Sequence, residues 1–277
     1  MPDSFAEPNT LASRATVRVL RPDSPRQAVS FARRFGAPYV AGGTWLQPVF
    51  ERDQCWPGSL ITLDPGWPGF RGIALGADGL SIGALTTLDE LARHPLVAHY
   101  LPPLAELMNQ VAGPGVRHLG TIGGNLAMGG DLSALALALD VTVAVVGVEG
   151  VHHESLAVWL REHKMGDIIS SIIVPDARSW SVAAEKLGHR ERFSPTRATV
   201  ACVHDGQQWR LAVCGEGGPG RLTLTEAMLR GAGGPPPGDL AAVVESELAS
   251  LGWQDAALRL AIRRMLDFLR AEVGDGR

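Results

Sequence analysis

The residues best suited to chemistry in this chain lie in two well-separated glycine-rich stretches. The first is Ala41-Gly42-Gly43-Thr44-Trp45-Leu46. The second runs from Arg117 to Ala127 and contains Gly120-Thr121-Ile122-Gly123-Gly124-Asn125. Each offers paired glycines, small neighbours and a hydroxyl. A turn of this composition bares successive backbone N–H groups and can form an anion-binding concavity. Two such turns in one fold could hold a diphosphate from two sides without a lysine. Each stretch also has a plain structural reading: a tight turn at a strand end for the first, and a glycine-rich crossover in a packed sheet for the second.

The elements around them favour the first reading. Val17 to Leu20 alternates like a short strand. Ser24-Pro25-Arg26-Gln27 has a serine cap, a proline at the first helical position and a glutamine at the third, and Gly36 closes that helix. Tyr39-Val40 reads as a strand running straight into Gly42-Gly43-Thr44, with a short helix over Trp45 to Glu51. The first glycine pair is thereby expected at a helix N-terminus, which favours phosphate. Further on, Ile73–Ala77 and Leu80–Ala84 flank Asp78-Gly79 as a hairpin, and Thr87-Leu88-Asp89-Glu90 opens a helix as a capping box. A helix from Pro102 to Val111 precedes the second stretch, which is read as a tight loop. Leu132–Leu139 is then a helix, and Val141–Val146 and Ile168–Val174 are strands.

After Ala177 the character changes. Val182–Leu187, Ala198–Val203 and Trp209–Cys214 predict three antiparallel strands, with Gly215 to Gly220 as a loop. Helices are expected at Leu224–Leu229, Leu240–Leu251 and Ala256–Val273, the first two joined by a proline–glycine linker over Gly231–Gly238. The last carries an apolar stripe of Leu258, Ala261, Ile262, Met265, Leu266 and Leu269. The organisation expected is a disordered lead-in over residues 1–15, one domain over 16–177, and a sheet-plus-helices domain over 178–277.

Composition excludes several classes. Charged residues are 19% of the chain and the net charge is −4, with no lysine–arginine run, so nucleic acid has no electrostatic footprint. A small arginine group, Arg190, Arg192 and Arg197, is the main local concentration. Met1 to Arg14 lacks the charged and apolar regions of a signal peptide. The most apolar run, Leu132 to Val148, is broken by Ser133, Asp140 and Thr142 and reads as a helix and a strand, so no membrane is expected. The three cysteines, Cys55, Cys202 and Cys214, show no C-x-x-C spacing. A hairpin around Asp205-Gly206 would pair Cys202 with a residue near Trp209, not with Cys214, so reduced thiols and a cytoplasmic location are expected. His152, His153 and His163 lack ligand spacing and read as surface histidines.

From Val17 to about Arg270 the chain resembles the flavin-binding subunit of the molybdenum hydroxylases, the xanthine and carbon monoxide dehydrogenase type. Beyond the two glycine stretches, four segments carry the resemblance. These are Asp64-Pro65 with Gly69 to Ile73, the stretch Ile82-Gly83-Ala84-Leu85-Thr86-Thr87, the strand Ile168 to Val174 ending in Pro175, and Glu185-Lys186-Leu187. The resemblance implies an α+β fold, with a two-subdomain FAD-binding domain followed by a three-stranded antiparallel sheet plus helices. It implies FAD held at Ala41, Gly42, Gly43, Thr44, Trp45 and Leu46 on one side. Thr121, Gly123, Gly124 and Asn125 would hold it from the other, with Ile122 near the isoalloxazine. It also implies Asp131 at the cofactor, Ile169 near the adenine side and Lys186 reaching the flavin region. Read from the residues alone, Asp131 could equally be a helix N-cap and Lys186 an exposed strand lysine.

The partners implied are a molybdopterin-containing large subunit and a [2Fe–2S] small subunit, with electrons passing from FAD to NAD⁺, oxygen or another acceptor. Three dispersed cysteines fit that division, since they cannot ligate a cluster. No catalytic base is expected in this chain. The sequence departs from the family at Met128-Gly129-Gly130, a shortened loop that brings Asp131 early, and in the short segment His152 to Asp167. Val111 stands where some members have an aromatic residue, and Asp167 where a glutamate is usual. Two alternatives stand beside this reading: a flavin-free degenerate subunit whose shortened loops have lost the flavin, and a self-contained flavin oxidoreductase of the same broad fold that binds its own substrate against the ring. An absorption spectrum separates the first alternative, and co-purification with molybdenum and iron separates the second.

Overall fold

In a computed structural model, the chain is described over residues 16–190, 194–230 and 237–275. The expected lead-in, Arg192 and most of the Gly231–Gly238 linker lie outside those residues. The first layer is a parallel sheet in the order β1 (Arg18–Leu20), β3 (Ser59–Thr62), β2 (Tyr39–Val40), with α1 (Pro25–Phe35) and α2 (Leu46–Asp53) as connections. Ser24 caps α1 by accepting from the Gln27 N–H at 3.3 Å, and Gly36 ends it at φ 59°. Ala28, Val29 and Ala32 of α1 pack with Ile61 of β3. Because β2 runs parallel to its neighbour, its carboxyl end delivers the first glycine stretch to the sheet edge where α/β folds commonly bind ligands.

The second layer is a five-stranded antiparallel sheet in the order β4 (Ile73–Gly76), β5 (Gly79–Gly83), β8 (Ile168–Val174), β6 (Thr142–Gly147), β7 (Gly150–Ser155). Between β5 and β6 run α3 (Leu88–Arg93), α4 (Pro95–Tyr100), α5 (Pro102–Met108), α6 (Pro114–Leu119), α7 (Ile122–Ala127) and α8 (Ser133–Ala138), and α9 (Leu156–Glu162) follows β7. The capping box at Thr87 forms with both arms, Thr87 to the Glu90 N–H and Glu90 back to the Thr87 N–H. Two features depart from the sequence reading. Gly123-Gly124 is not a loop but the start of α7, capped by the Thr121 hydroxyl. The segment after Gly147 forms a hairpin strand and then α9, capped by Ser155.

The third layer is an antiparallel sheet in the order β12 (Gly220–Arg221), β11 (Trp209–Gly215), β10 (Thr196–His204), β9 (Ser181–Gly188). The sequence predicts three of these strands. The fourth forms because the glycine-rich turn returns the chain so that Gly220 pairs with Val213. Cys202 stands opposite Leu211 and Cys214 opposite Thr199, so the two thiols belong to different pairs and stay free. One face of this sheet, through Val200, Cys202, Leu211 and Val213, packs on α12 (Ala256–Asp275) and Trp253, with α10 (Thr223–Leu229) and α11 (Pro237–Ser250) alongside. Leu258, Ile262, Leu266 and Leu269 of the α12 stripe are buried there. The opposite face, through Ala201, Val203, Ala212 and Cys214, belongs to the same core as Leu91, Leu126, Leu135 and Ile172. The change of character near Ala177 is thus not a break in the core.

Candidate functional site

The two glycine stretches meet. A Cβ at Gly42 would overlap the carbonyl oxygen of Leu119, so the first stretch lies directly on the backbone at the end of α6. A Cβ at Gly120 would come 3.3 Å from the Thr44 hydroxyl. Gly43 has φ 68°, a left-handed conformation that glycine adopts without strain. Its carbonyl accepts from the Gln47 N–H at 3.0 Å and starts α2. The N–H groups of Gly43, Thr44, Trp45 and Leu46 have no acceptor among the described residues. Four consecutive bare amides at a helix N-terminus suit an anion. Tyr39 steadies the strand that leads in, its hydroxyl donating to the Gly166 carbonyl at 2.7 Å, and burial raises its phenol above the ordinary range, with Asp167 adding to the effect.

The second stretch is built differently. Most of its backbone amides are already engaged: Ile122 N–H to the Thr86 carbonyl at 3.0 Å, Gly123 N–H to Ala84 at 2.8 Å, and Gly124 N–H to the Thr121 hydroxyl oxygen at 3.1 Å. Neither glycine of this pair has positive φ. Gly123 is small because a Cβ would lie 2.6 Å from the Ala84 Cβ, and a Cβ at Gly124 would lie 3.0 Å from Thr121 Oγ1. What this stretch can still offer is the Thr121 N–H and two side-chain donors, the Thr121 hydroxyl proton and the Asn125 amide nitrogen, none with an acceptor among the described residues. The oxygen of Asn125 is taken by the Leu132 N–H at 3.0 Å, which closes the Met128-Gly129-Gly130 turn.

Other expected site residues are held inside the protein. Ile122 and Ile169 are 5% and 6% exposed and sit in the main core. Trp45 is half-exposed and Ala41 exposed beside the bare amides. Asp131 is no helix cap: its carboxylate pairs with Lys186 Nζ at 2.8 Å and accepts from the Thr196 hydroxyl. Lys186 also donates to the carbonyls of Gln110 and Ser194, so it is neither an exposed strand lysine nor free to reach outward. His152 and His153 lie on β7, while His163 stacks on Trp159 at 4.5 Å, and no metal-ligating cluster exists among the described residues.

Several contributors appear in the sequence analysis without a site role. Ala84 and Thr86 receive the amides of the second stretch, and the only local hint was a small residue followed by threonines. Arg117 binds three carbonyls, Met108, Val111 and Ala112, and holds α6 against the end of α5. Glu90 is the hub beneath Thr87. Its burial opposes ionisation, but Arg71 and the Thr87 N–H and hydroxyl together hold its carboxyl below the usual range.

A family model described as the FAD-binding domain in molybdopterin dehydrogenase matches residues 15–177. The carbon monoxide dehydrogenase medium chain of Hydrogenophaga pseudoflava is 35% identical over 134 residues, 47% of this chain and 46% of that one. The nicotinate dehydrogenase FAD-subunit of Eubacterium barkeri is 31% identical over 169 residues, 56% of each chain. The matched stretches thus span about half the length of these curated relatives. Among solved structures, carbon monoxide dehydrogenase from Hydrogenophaga pseudoflava superposes with a TM-score of 0.73 at 25% identity, covering 88% of this chain and 94% of that one. Quinoline 2-oxidoreductase from Pseudomonas putida 86 reaches 0.76 at 21% identity, covering 94% and 98%, a likeness of fold.

Proposed function

Since this chain belongs to the family of FAD-binding domains of molybdopterin dehydrogenases, we propose that it is the FAD-binding electron-transfer subunit of a molybdenum hydroxylase. One observation carries the reading: the bare amides of Gly43 to Leu46 follow directly on Gly42, which lies against the Leu119-Gly120 backbone of the second stretch. Those amides would take the FAD diphosphate. The Thr121 hydroxyl and the Asn125 amide nitrogen would face it from the other side. Neither stretch contains a carboxylate to repel it. When bound, the flavin accepts and passes on electrons, and the protein's part is to bind and orient it.

The partners in this reading are a molybdopterin-containing large subunit, where substrate is oxidised, and a [2Fe–2S] small subunit, with NAD⁺, oxygen or another acceptor downstream. Cys202 and Cys214 face opposite sides of their sheet, Cys55 is far along the chain, and clusters need thiolates brought together. No helix among the described residues is long and apolar enough to cross a membrane. With free buried thiols, we place the protein in the cytoplasm, to be checked by fractionation. The deciding experiment is to purify the chain with its neighbouring gene products and measure flavin, molybdenum and iron. Non-covalent FAD with both metals is the expected result. A colourless chain that takes up no FAD on reconstitution would overturn the reading in favour of a degenerate subunit.

A further inference from the structure

Behind the second glycine stretch lies a polar cluster in which every strong donor is committed. The side chains of Lys186 and Asp131 are 4% and 17% exposed. Lys186 Nζ donates to Asp131 Oδ2 at 2.8 Å, to the Ser194 carbonyl at 3.0 Å and to the Gln110 carbonyl at 3.2 Å. An ammonium has three donors, so none is left for a ligand. The other Asp131 oxygen accepts from the Thr196 hydroxyl. Lys186 and Thr196 both come from the third sheet, while Asp131 and Gln110 flank the second stretch in the chain.

Two of the ammonium's three partners, Asp131 and Gln110, lead to that stretch. Next to Asp131, the Leu132 N–H holds Asn125 Oδ1 at 3.0 Å, and the Gly130 N–H holds the Asn125 carbonyl at 2.8 Å. Next to Gln110, the carbonyls of Val111 and Ala112 hold Arg117 Nη1 at 3.2 and 3.0 Å. Arg117 lies on α6, and the Leu119 carbonyl at the end of α6 is where Gly42 rests. One buried ammonium therefore braces the stretch from both ends.

We infer that Lys186 is a positioning residue for the second glycine stretch, and that through it the third sheet sets the gap between the two stretches. The inference rests on the proposed FAD-binding reading and replaces the flavin contact that the resemblance implied for Lys186. A buried ion pair keeps its geometry only while both charges remain, because removing one leaves the other without compensation. Residues that share one network also respond non-additively when changed together.

The test uses Lys186→Met, Asp131→Asn and the double variant in the full chain. FAD affinity is read by flavin fluorescence, and amide hydrogen exchange over residues 113–131 is read without FAD. Each single variant is expected to bind FAD about tenfold more weakly, within the range seen for residues that act through a network. The double variant should be no weaker than the worse single one, and exchange over 113–131 should quicken in all three. Lys186→Met weakening FAD with unchanged exchange would overturn the proposal in favour of direct contact. So would an Asp131→Asn variant that keeps full affinity. If the wild-type chain binds no FAD, the functional reading falls, while exchange still decides the bracing: quickened supports it, unchanged overturns it. Should these variants not fold, Thr196→Val removes one hydroxyl from the same cluster and must shift exchange in the same direction, and unchanged exchange there would overturn it.

Discussion

Adjacent glycines in the first stretch are small for different reasons, and substitution separates them. At Gly43 only Val40 Cγ1, at 3.7 Å, is near a would-be Cβ, so the constraint is the left-handed φ. Gly43→Val should cost about 1–2 kcal/mol for that conformation and leave the fold standing. Its side chain would crowd the bare amides, so FAD binding should be lost, as read by flavin content after reconstitution. Gly42→Ala meets the Leu119 carbonyl directly and must part the two stretches, so it should lower both FAD content and melting temperature. If Gly43→Val retains full FAD, the stretch is only a turn. The sequence showed both pairs as glycine-rich but could not show these causes. Gly123-Gly124 reads as a loop because glycine disfavours helix. It is helical here because Thr121 caps it, and position 123 is glycine because Ala84 leaves no room for a Cβ. Lys186 sits on a strand, where a lone lysine reads as solvent-facing, and its burial comes from segments remote in the chain.

At the scale of elements, legibility followed local signals. α1 was readable end to end because a serine cap, a proline and a closing glycine all lie within its own sequence, and β8 because Pro175 ends it. The strand over Gly150–Ser155 was missed because Val151, His152, His153 and Glu154 alternate poorly, and it survives as an exposed edge strand paired on one side by β6. Two elements make testable claims. The buried carboxylate of Glu247, on α11, accepts from the Leu224 and Thr225 N–H groups at 2.8 and 2.9 Å and from the Thr225 hydroxyl at 2.8 Å, so one helix caps the start of another. Glu247→Ala should cost about 2–3 kcal/mol of stability in denaturant titration, the range for hydrogen bonds to a charged group. An effect below a few tenths would show the cap is dispensable. The β10–β11 hairpin turns on Asp205. Burial works against its ionisation, but the Gln208 and Gln207 N–H groups and Arg210 bring its carboxyl down to about 2. Its ordinary value is about 3.9. A depressed folded value means the stabilisation is present above that ordinary value and fades as pH falls from about 4 towards 2. The acid loss of stability in that window should be smaller in Asp205→Asn, and an identical profile would remove Asp205 as its source.

At the scale of the whole molecule, the third sheet is buttressed rather than appended. Its inner face shares the main core, and Asp140, just past α8, forms ion pairs with both Arg210 and Arg221 of that sheet. A chain built this way can hold a cofactor firmly between its layers. Trp45, Val116, Leu119 and Met128, apolar residues of the two stretches and their flanks, are left substantially in solvent. On the proposed function an electron would reach the flavin from a neighbouring iron–sulfur centre, so this face is where we expect partners to dock. Two outcomes follow. The isolated chain should reduce an acceptor dye slowly or not at all with purine or aromatic aldehyde substrates, because the proposed function puts the oxidising centre in another subunit. Co-expressed with the two neighbouring subunits, it should elute with both in size-exclusion chromatography, and charged substitutions at Leu119 and Val116 should release it without loss of melting temperature. Rapid turnover by the chain alone would refute the relay role. A chain that stays separate from both subunits at micromolar concentration would point instead to a protein that works by itself.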